Sequence, residues 1–270
     1  ELAQDAVPLL RPDLVLVVML LGNDVAAAGE PLGEATASAL DAVRRVYPNF
    51  VRLVESWRLS RDLAERTQER PPQVTTAEDN RRWTENTAQE FLDGMSKEQR
   101  ERFESFDDEV KQAFRTGNLN PYMIDLAMQN PDFYTLNLDL DDPWTQTCIE
   151  RTSGHLRRIK KVAGDYGAEV IVLSVPEGPY VNKHSYEHIQ RVGYRVRPEV
   201  LTTDAPDRAL ERACALAQLP YVSATDVFRE HADDPGLFFA LDGHLTEKGH
   251  RLYAEAITPR IREAVEEMER

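Results

Sequence analysis

The feature that most constrains the fold is an unbroken apolar run near the start of the chain, from Leu14 to Leu21. It is far too short to span a bilayer as a helix, which takes about 20 residues. The run is rich in Leu and Val and is followed at once by the turn-forming residues Gly22, Asn23 and Asp24. A short apolar run that ends in turn residues is typical of a parallel β-strand covered on both faces. We therefore predict a middle strand of a sheet, with neighbours on each side.

Two later segments repeat the strand pattern. Residues 170–175 form a second apolar run that ends at Pro176, and residues 220–223 form a shorter third one. Apolar residues at helical spacing occupy residues 144–166, 205–218 and 246–265. We expect Thr246 to cap the last helix and Pro259 to restart it. Strands that alternate with helices predict an α/β domain with a doubly wound parallel sheet, whose sites form beyond the carboxyl ends of the strands.

Residues 48–143 interrupt this alternation. They carry helical patterns, for example at residues 51–65 and 88–114, and prolines at positions 71, 72 and 121 break these patterns. No stretch alternates as a half-buried strand would. We interpret residues 48–143 as a helical insertion, so that the α/β domain comprises residues 1–47 and 144–270.

Charge and cysteine content narrow the classes of partner. Asp and Glu number 47 and Lys and Arg 32, which leaves a formal net charge of −15. Proteins that bind nucleic acid through its phosphates normally present a basic face, so nucleic-acid binding is disfavoured.

Cys148 and Cys214 are far apart and form no Cys-x-x-Cys motif. We expect small buried residues rather than a zinc site, with a disulfide left open. No apolar run is long enough for a membrane span.

The segment Asp242-Gly243-His244 is the first candidate for chemistry. A histidine that acts as a base needs a carboxylate to fix its tautomer and to stabilise the imidazolium. Two residues apart on a tight turn, Asp242 and His244 can form this pair, because Gly243 permits unusual dihedral angles. The alternative is an ordinary Asp-Gly turn beside a surface histidine.

The segment Gly22-Asn23-Asp24 is the second candidate. The amide of Asn23 at the end of a strand can donate a hydrogen bond to an oxyanion, and Asp24 can hold the loop or cap the next segment. The alternative is again a simple turn, because these are the usual turn residues.

Taken together, the stretches 12–24 and 239–250 resemble the SGNH/GDSL hydrolase superfamily, and most closely bacterial members with a long helical insertion. Members related to sugar O-acetyltransferases, including the alginate acetylation proteins, have a similar Asp-x-His pair. The resemblance covers residues 1–47 and about 144–270. It implies a flavodoxin-like fold, of which this chain would hold the C-terminal part, and a location in the cell envelope or outside the cell.

The resemblance also implies roles for individual residues. His244 would be the general base, Asp242 its orienting carboxylate and Asn23 an oxyanion donor, with Gly22 and Asp24 in the same loop. A serine nucleophile would attack an acylated carbohydrate or a similar small ester, without metal or cofactor. Gly249 and His250 match the start of the helix that follows the base, where their role would be structural.

The chain departs from the family pattern in three ways. The block before Asp24 lacks the usual first glycine, the pair is Asp-x-His instead of Asp-x-x-His, and none of the serines lies in a Gly-Asp-Ser motif. Ser153 precedes His155 by two positions on a predicted helix, which is poor geometry for a nucleophile and base, and Ser174 reads as a packed strand residue. We expect the serine on roughly a hundred upstream residues, which would exist as another chain or fragment, as a disordered segment or as an omitted part of the natural protein. Without them the run from Leu14 would be an exposed apolar edge.

Other interpretations and residues remain open. A catalytically dead SGNH fold that binds glycan or protein is the main alternative, and an unrelated flavodoxin-like domain is weaker because no phosphate-binding loop is visible. His184 and His188 are four residues apart, the spacing of a metal pair on a helix. The tyrosines around them, among them Tyr180, favour a polar loop over the site instead, and these three residues are candidate substrate contacts.

Overall fold

The computed structural model of the protein describes residues 2–22, 24–29, 77–136 and 138–268. The first part begins with a helix that ends just before Arg11 and Pro12, and it continues into an apolar strand. The helices and the strand of residues 2–129 are α1 (Leu2–Leu10), β1 (Leu14–Leu20), α2 (Asp24–Ala27), α3 (Ala77–Gly94), α4 (Lys97–Glu104), α5 (Asp108–Arg115) and α6 (Pro121–Gln129).

The remaining part of the chain alternates between strands and helices. Two short 3₁₀ turns, Phe133–Thr135 and Pro198–Leu201, lie in its connections. Its regular elements are α7 (Pro143–Gly164), β2 (Glu169–Val175), α8 (Gly178–Val181), α9 (Lys183–Arg191), α10 (Ala205–Ala217), β3 (Tyr221–Val222), α11 (Thr225–Glu230) and α12 (Glu247–Met268).

The three strands form one parallel sheet in the order β1-β2-β3. Leu14 lies opposite Glu169 and Leu20 opposite Val175, while Val172 lies opposite Tyr221. The predicted α/β architecture with a parallel sheet is therefore confirmed. Because β1 and β2 run in register to their carboxyl ends, the loops that follow them start side by side.

Strand β1 differs from the prediction of a middle strand covered on both faces. Among the described residues it pairs with β2 alone, so it is an edge of the sheet. Leu16 is 44% exposed and Val18 is 54% exposed, and both point to the same face because alternate residues of a strand share a face. Apolar composition indicates that burial would stabilise the strand, but it does not show which element of the protein lies beside it.

Helices cover both faces of β2. Val170 and Val172 pack with α7 and α10, in a cluster that includes Leu156 and Leu210. The alternate residues Ile171 and Leu173 pack instead with the C-terminal half of α12, in a second cluster. Both sets are nearly fully buried, which explains why residues 170–175 read as a continuous apolar run instead of an alternating one.

The helices of residues 77–129 pack onto this α/β part through a shared hydrophobic cluster. Phe103 and Phe114 from the helical region belong to the same cluster as Phe228 and Phe238. The guanidinium group of Arg191 on α9 also pairs with Asp107, whose carboxylate caps α5 by accepting from the Val110 N–H at 3.0 Å. No strand occurs among the described residues of this region, whereas residues 48–76 lie outside the described part.

Helix α12 corrects one expectation and bears out another. It continues through Pro259 without a restart, because apolar residues on both sides of the proline, including Ile257 and Ile261, keep packing against the protein. Tertiary packing thus outweighs the hydrogen bond that the proline removes. At the start of the helix, the Thr246 hydroxyl accepts from the Gly249 N–H at 3.2 Å, as predicted for a cap.

The two cysteines are free and buried, as expected of small apolar residues. Burial raises the pKa of both thiols, that of Cys214 to about 12. In the part of the chain that the structure describes, no helix combines the length and the apolar character needed to cross a membrane.

Candidate active site

The turn that carries Asp242 and His244 is the end of a small antiparallel hairpin. Phe238 forms a β-bridge with Leu245, and the Phe239 N–H donates to the His244 carbonyl at 2.8 Å. Leu241 and Gly243 adopt positive φ values of 63° and 81° to reverse the chain. A glycine suits the second of these positions because it enters the left-handed region without steric cost.

Within this turn the two side chains meet. Asp242 Oδ1 forms a hydrogen bond with His244 Nδ1. That bond raises the pKa of His244 above its ordinary value, against the opposing effect of partial burial. Among the described residues Nε2 of His244 has no hydrogen-bond partner, and the side chain of His244 is 57% exposed. The pair therefore presents an imidazole whose inner nitrogen is oriented by a carboxylate and whose outer nitrogen is accessible.

The loop after β1 is held by its own aspartate. Asp24 Oδ2 accepts from the Leu20 N–H at 2.7 Å, and the Leu21 N–H donates to the Val175 carbonyl at 3.2 Å. Burial raises the pKa of Asp24, and the bond from Leu20 partly offsets this effect. Asp24 thus holds the loop, one of the two roles expected of it. Asn23, the predicted oxyanion donor, lies outside the described residues.

The loop after β2 connects the two segments. Glu177 packs directly on Gly22, so closely that a Cβ added to Gly22 would overlap the carboxyl group of Glu177. The next residue, Gly178, donates its N–H to the Gly243 carbonyl at 3.4 Å. Three chain segments that are far apart in sequence therefore meet beyond the carboxyl ends of β1 and β2, where the architecture predicts a site.

Glu177 is a site residue that the sequence analysis missed. It is only 6% exposed, and burial raises the pKa of its carboxyl group to about 8. The neighbouring His244 lowers this pKa and Asp24 raises it. Its position in the sequence could have indicated this role. A charged residue two positions after a buried strand lies at the edge of the sheet where sites form.

Tyr180 supports the site from within the protein. It is 4% exposed, and its hydroxyl donates to the Tyr134 carbonyl at 3.0 Å. Its ring lies 6.0 Å from that of Tyr134, which in turn lies 5.0 Å from the ring of Tyr194. Burial raises the pKa of Tyr180 far above its ordinary value, and the charge of the nearby Glu177 adds to this effect. The residue expected to contact substrate therefore belongs to an aromatic layer under Glu177.

His184 and His188 lie one turn apart on α9. His184 Nε2 is 3.3 Å from the Asp233 carbonyl oxygen, and burial lowers the pKa of His188. The structure records no contact of either residue with Asp242 or His244. Among the described residues, no group of three or more His, Cys, Asp or Glu side chains is arranged to hold a metal ion.

One described serine lies near the site: Ser185 is buried and packs on Gly178, the residue that follows Glu177. Ser153 and Ser174 are buried inside the protein, and Ser223 donates to Asp207 at 2.5 Å. None of the serines in the described ranges forms a hydrogen bond with His244. Three more serines, at positions 38, 56 and 60, lie outside those ranges.

Phe239 is a second residue that the sequence analysis missed. In the hairpin its N–H donates to the His244 carbonyl, so the two residues lie opposite each other, the arrangement in which side chains of antiparallel strands share one face. Phe239 is 55% exposed. An exposed aromatic ring beside an accessible imidazole gives the site an apolar wall for a ligand.

A cavity of about 330 Å³ lies between α3 and α6, lined in part by Phe91, Tyr122 and Met128. None of its lining residues belongs to the segments that carry Gly22, Glu177 or His244. We take the hairpin turn as the candidate site because the oriented Asp242–His244 pair and the buried Glu177 lie there.

Comparison of the chain with models of known protein families, with curated proteins and with solved structures found no match to any of the three.

Proposed function

We propose that this protein processes esters by Ser-His-Asp chemistry, as an SGNH-type esterase or O-acyltransferase with a doubly wound, flavodoxin-like sheet. The observation that carries the proposal is the bonded Asp242–His244 pair beside the Gly22 loop at the carboxyl edge of the sheet. A carboxylate on Nδ1 and an accessible Nε2 are the requirements for a histidine that takes a proton from a hydroxyl nucleophile.

In this mechanism Nε2 of His244 accepts the proton of a serine hydroxyl while the serine oxygen bonds to the ester carbonyl carbon. The amide of Asn23 donates to the oxyanion that forms. Collapse of the intermediate breaks the ester bond, and His244 returns the proton to the leaving alcohol. Water or a sugar hydroxyl then attacks the acyl-enzyme by the same steps, and the serine is released. The serine would come from outside the described residues.

The charge of His244 sets the pH dependence of this reaction. His244 must be neutral to accept the serine proton, and the bond to Asp242 raises its pKa above 6.5. The rate constant kcat/KM should therefore increase with pH through the raised pKa of His244 and be lost below it. Replacing Asp242 with Asn removes the carboxylate, so the rising limb should move to lower pH while the maximal rate falls.

Turnover of p-nitrophenyl acetate by the full-length protein tests the proposal. The His244→Ala variant should lose roughly 10²- to 10⁴-fold in kcat/KM, because general-base catalysis by a positioned histidine is worth about that much. The matched control is His231→Ala, which removes an exposed histidine at the end of α11. Equal rates for His244→Ala and the unmodified protein would overturn the assignment.

The alternative function is an SGNH-type fold that binds glycan or protein without catalysis. One observation favours it: no serine in the described ranges forms a hydrogen bond with His244. A binding module should show no turnover of p-nitrophenyl acetate above that of the His244→Ala variant, yet it should bind an acylated oligosaccharide in calorimetry. Turnover that depends on His244 excludes this alternative.

A further inference from the structure

The carboxyl group of Glu177 is buried beside the turn that carries Asp242 and His244, and none of the described residues forms a hydrogen bond with one of its two oxygens. Glu177 is 6% exposed, and within the described ranges its Oε2 has no hydrogen-bond partner. A buried carboxylate without a partner is costly, so the neutral acid is the stable form unless a positive charge is close by. An unsatisfied buried oxygen in a folded protein calls for an explanation of this kind.

Backbone geometry fixes where this carboxyl group lies. On one side it rests on Gly22, where any side chain at position 22 would displace it. On the other side, the bond from the Gly178 N–H to the Gly243 carbonyl ties its loop to the turn that carries His244. The Glu177 side chain is therefore held between the loop after β1 and the hairpin turn.

Titratable groups face Glu177 from each of these elements. From the loop after β1, Asp24 disfavours the ionised form, and from the hairpin turn His244 favours it. From the helical region and the segments after β2, the three tyrosines of the aromatic layer lie close enough for Glu177 to raise their pKa values; they are Tyr134, Tyr180 and Tyr194. The imidazolium of His244 is thus the positive charge that can stabilise an ionised Glu177.

We propose that Glu177 is a positioning residue that acts through His244. Its buried carboxyl group is held between the Gly22 loop and the hairpin turn, and it gains or loses a proton in response to the charge of the imidazole. The charge of Glu177 in turn shifts the balance between the neutral and the protonated form of His244. Glu177 does not itself meet substrate, because it is 6% exposed, whereas the side chain of His244 is 57% exposed. Its effect is electrostatic and reciprocal, as coupled titrations require.

The coupling has a defined direction. An ionised Glu177 raises the pKa of His244, and a protonated His244 lowers the pKa of Glu177. When His244 accepts a proton during catalysis, loss of the Glu177 proton to solvent would stabilise the imidazolium. As a contribution to catalysis this role rests on the proposed function, but the coupling itself can be measured without substrate. Failure of the coupling and failure of the ester chemistry are therefore distinguishable.

Nuclear magnetic resonance of the His244 ring, followed through a pH titration of the full chain, tests the proposal. In the unmodified protein the ring signal should show its own inflection and a second one near pH 8, from ionisation of Glu177. In Glu177→Gln the second inflection should disappear and the first should move to lower pH. Glu177→Asp, which keeps an ionisable group, should keep two inflections.

The matched control is Glu169→Gln, which removes an exposed carboxylate at the opposite end of β2 and should leave both inflections unchanged. Should Glu177→Gln fail to fold, the carboxyl carbon signal of Glu177 in the unmodified protein provides the same information. That signal should titrate near pH 8 with a smaller inflection at the His244 midpoint. Identical His244 curves in the unmodified protein and Glu177→Gln, or a Glu177 signal that titrates at the ordinary pH of an exposed glutamate, would overturn the proposal.

Discussion

Replacement of Glu177 with Gln should change how the stability of the protein depends on pH. Burial raises the pKa of Glu177 from its ordinary value of 4.5 to about 8, so the folded state holds this proton more tightly than the unfolded state does. Between these two values, unfolding releases a proton. The free energy of unfolding must therefore fall as pH rises from about 4.5 to about 8. Gln has nearly the same size as Glu but carries no titratable proton. The variant should therefore lack the decrease in free energy of unfolding that Glu177 causes.

The size of the effect follows from the same two values. Each pKa unit corresponds to about 1.4 kcal/mol, so ionisation of Glu177 should lower the free energy of unfolding by roughly 3 to 4 kcal/mol between pH 5 and pH 8. The pKa of His244 is also raised in the folded protein. Its contribution to the free energy of unfolding therefore also falls as pH rises, because the imidazolium that Asp242 stabilises loses its proton. Both proteins keep His244, so the difference between them reports on the Glu177 proton together with its coupling to His244.

Urea unfolding followed by circular dichroism, at about pH 5, 6, 7 and 8, measures this difference. The curves of stability against pH for the unmodified protein and for Glu177→Gln should diverge steadily toward pH 8, with the variant relatively more stable there. The net charge of −15 weakens both proteins alike at high pH, so it does not imitate the divergence. Parallel curves would refute the reasoning, because they would show that Glu177 has the same pKa in the folded and unfolded states.

Three further substitutions test the packing and the site. Gly22→Ala should lower the free energy of unfolding by about 1 to 3 kcal/mol in urea unfolding, because its methyl group displaces Glu177. Its control, Gly154→Ala on α7, has open space at the added Cβ and should be neutral or stabilising by about 0.5 to 1 kcal/mol; equal losses for the two would contradict the contact. Asp207→Ala should lower the free energy of unfolding by about 2 to 4 kcal/mol in the same assay, because the Asp207 carboxylate accepts from three hydroxyl groups at 2.5 to 2.7 Å. A decrease below about 0.5 kcal/mol would argue against this network. Phe239→Ala should raise KM for an aryl or acylated-sugar ester more than it lowers kcat, and an unchanged KM would remove Phe239 from the binding surface.

The strands and the Asp242–His244 pair could be predicted from the sequence because each depends on local information. The apolar run at residues 170–175 places both of its faces against helices, and a run of that composition has few other stable arrangements. The pairing of Asp242 with His244 needs only a short turn around Gly243, which the spacing of two residues already implies.

The residues that sequence reasoning missed depend on contacts between distant segments. Glu177 is defined by its packing on Gly22 and by its charge interaction with His244, and neither interaction is visible in the sequence around Glu177. Phe239 is next to His244 through hairpin pairing, which the segment between them does not signal by an Asn-Gly turn. The exposure of Leu16 on β1 is also a property of what lies beside the strand, which its own composition cannot report.

The measurement that tests the central claim most directly is labelling of the full-length protein by a fluorophosphonate, which reacts with an activated serine and remains bound to it. The account predicts that one serine is labelled, that mass spectrometry places it outside the described residues, and that His244→Ala slows labelling by at least about 100-fold while His231→Ala leaves the rate unchanged. Absence of labelling, or equal labelling rates for the unmodified protein and His244→Ala, would contradict the claim that the Asp242–His244 pair activates a serine.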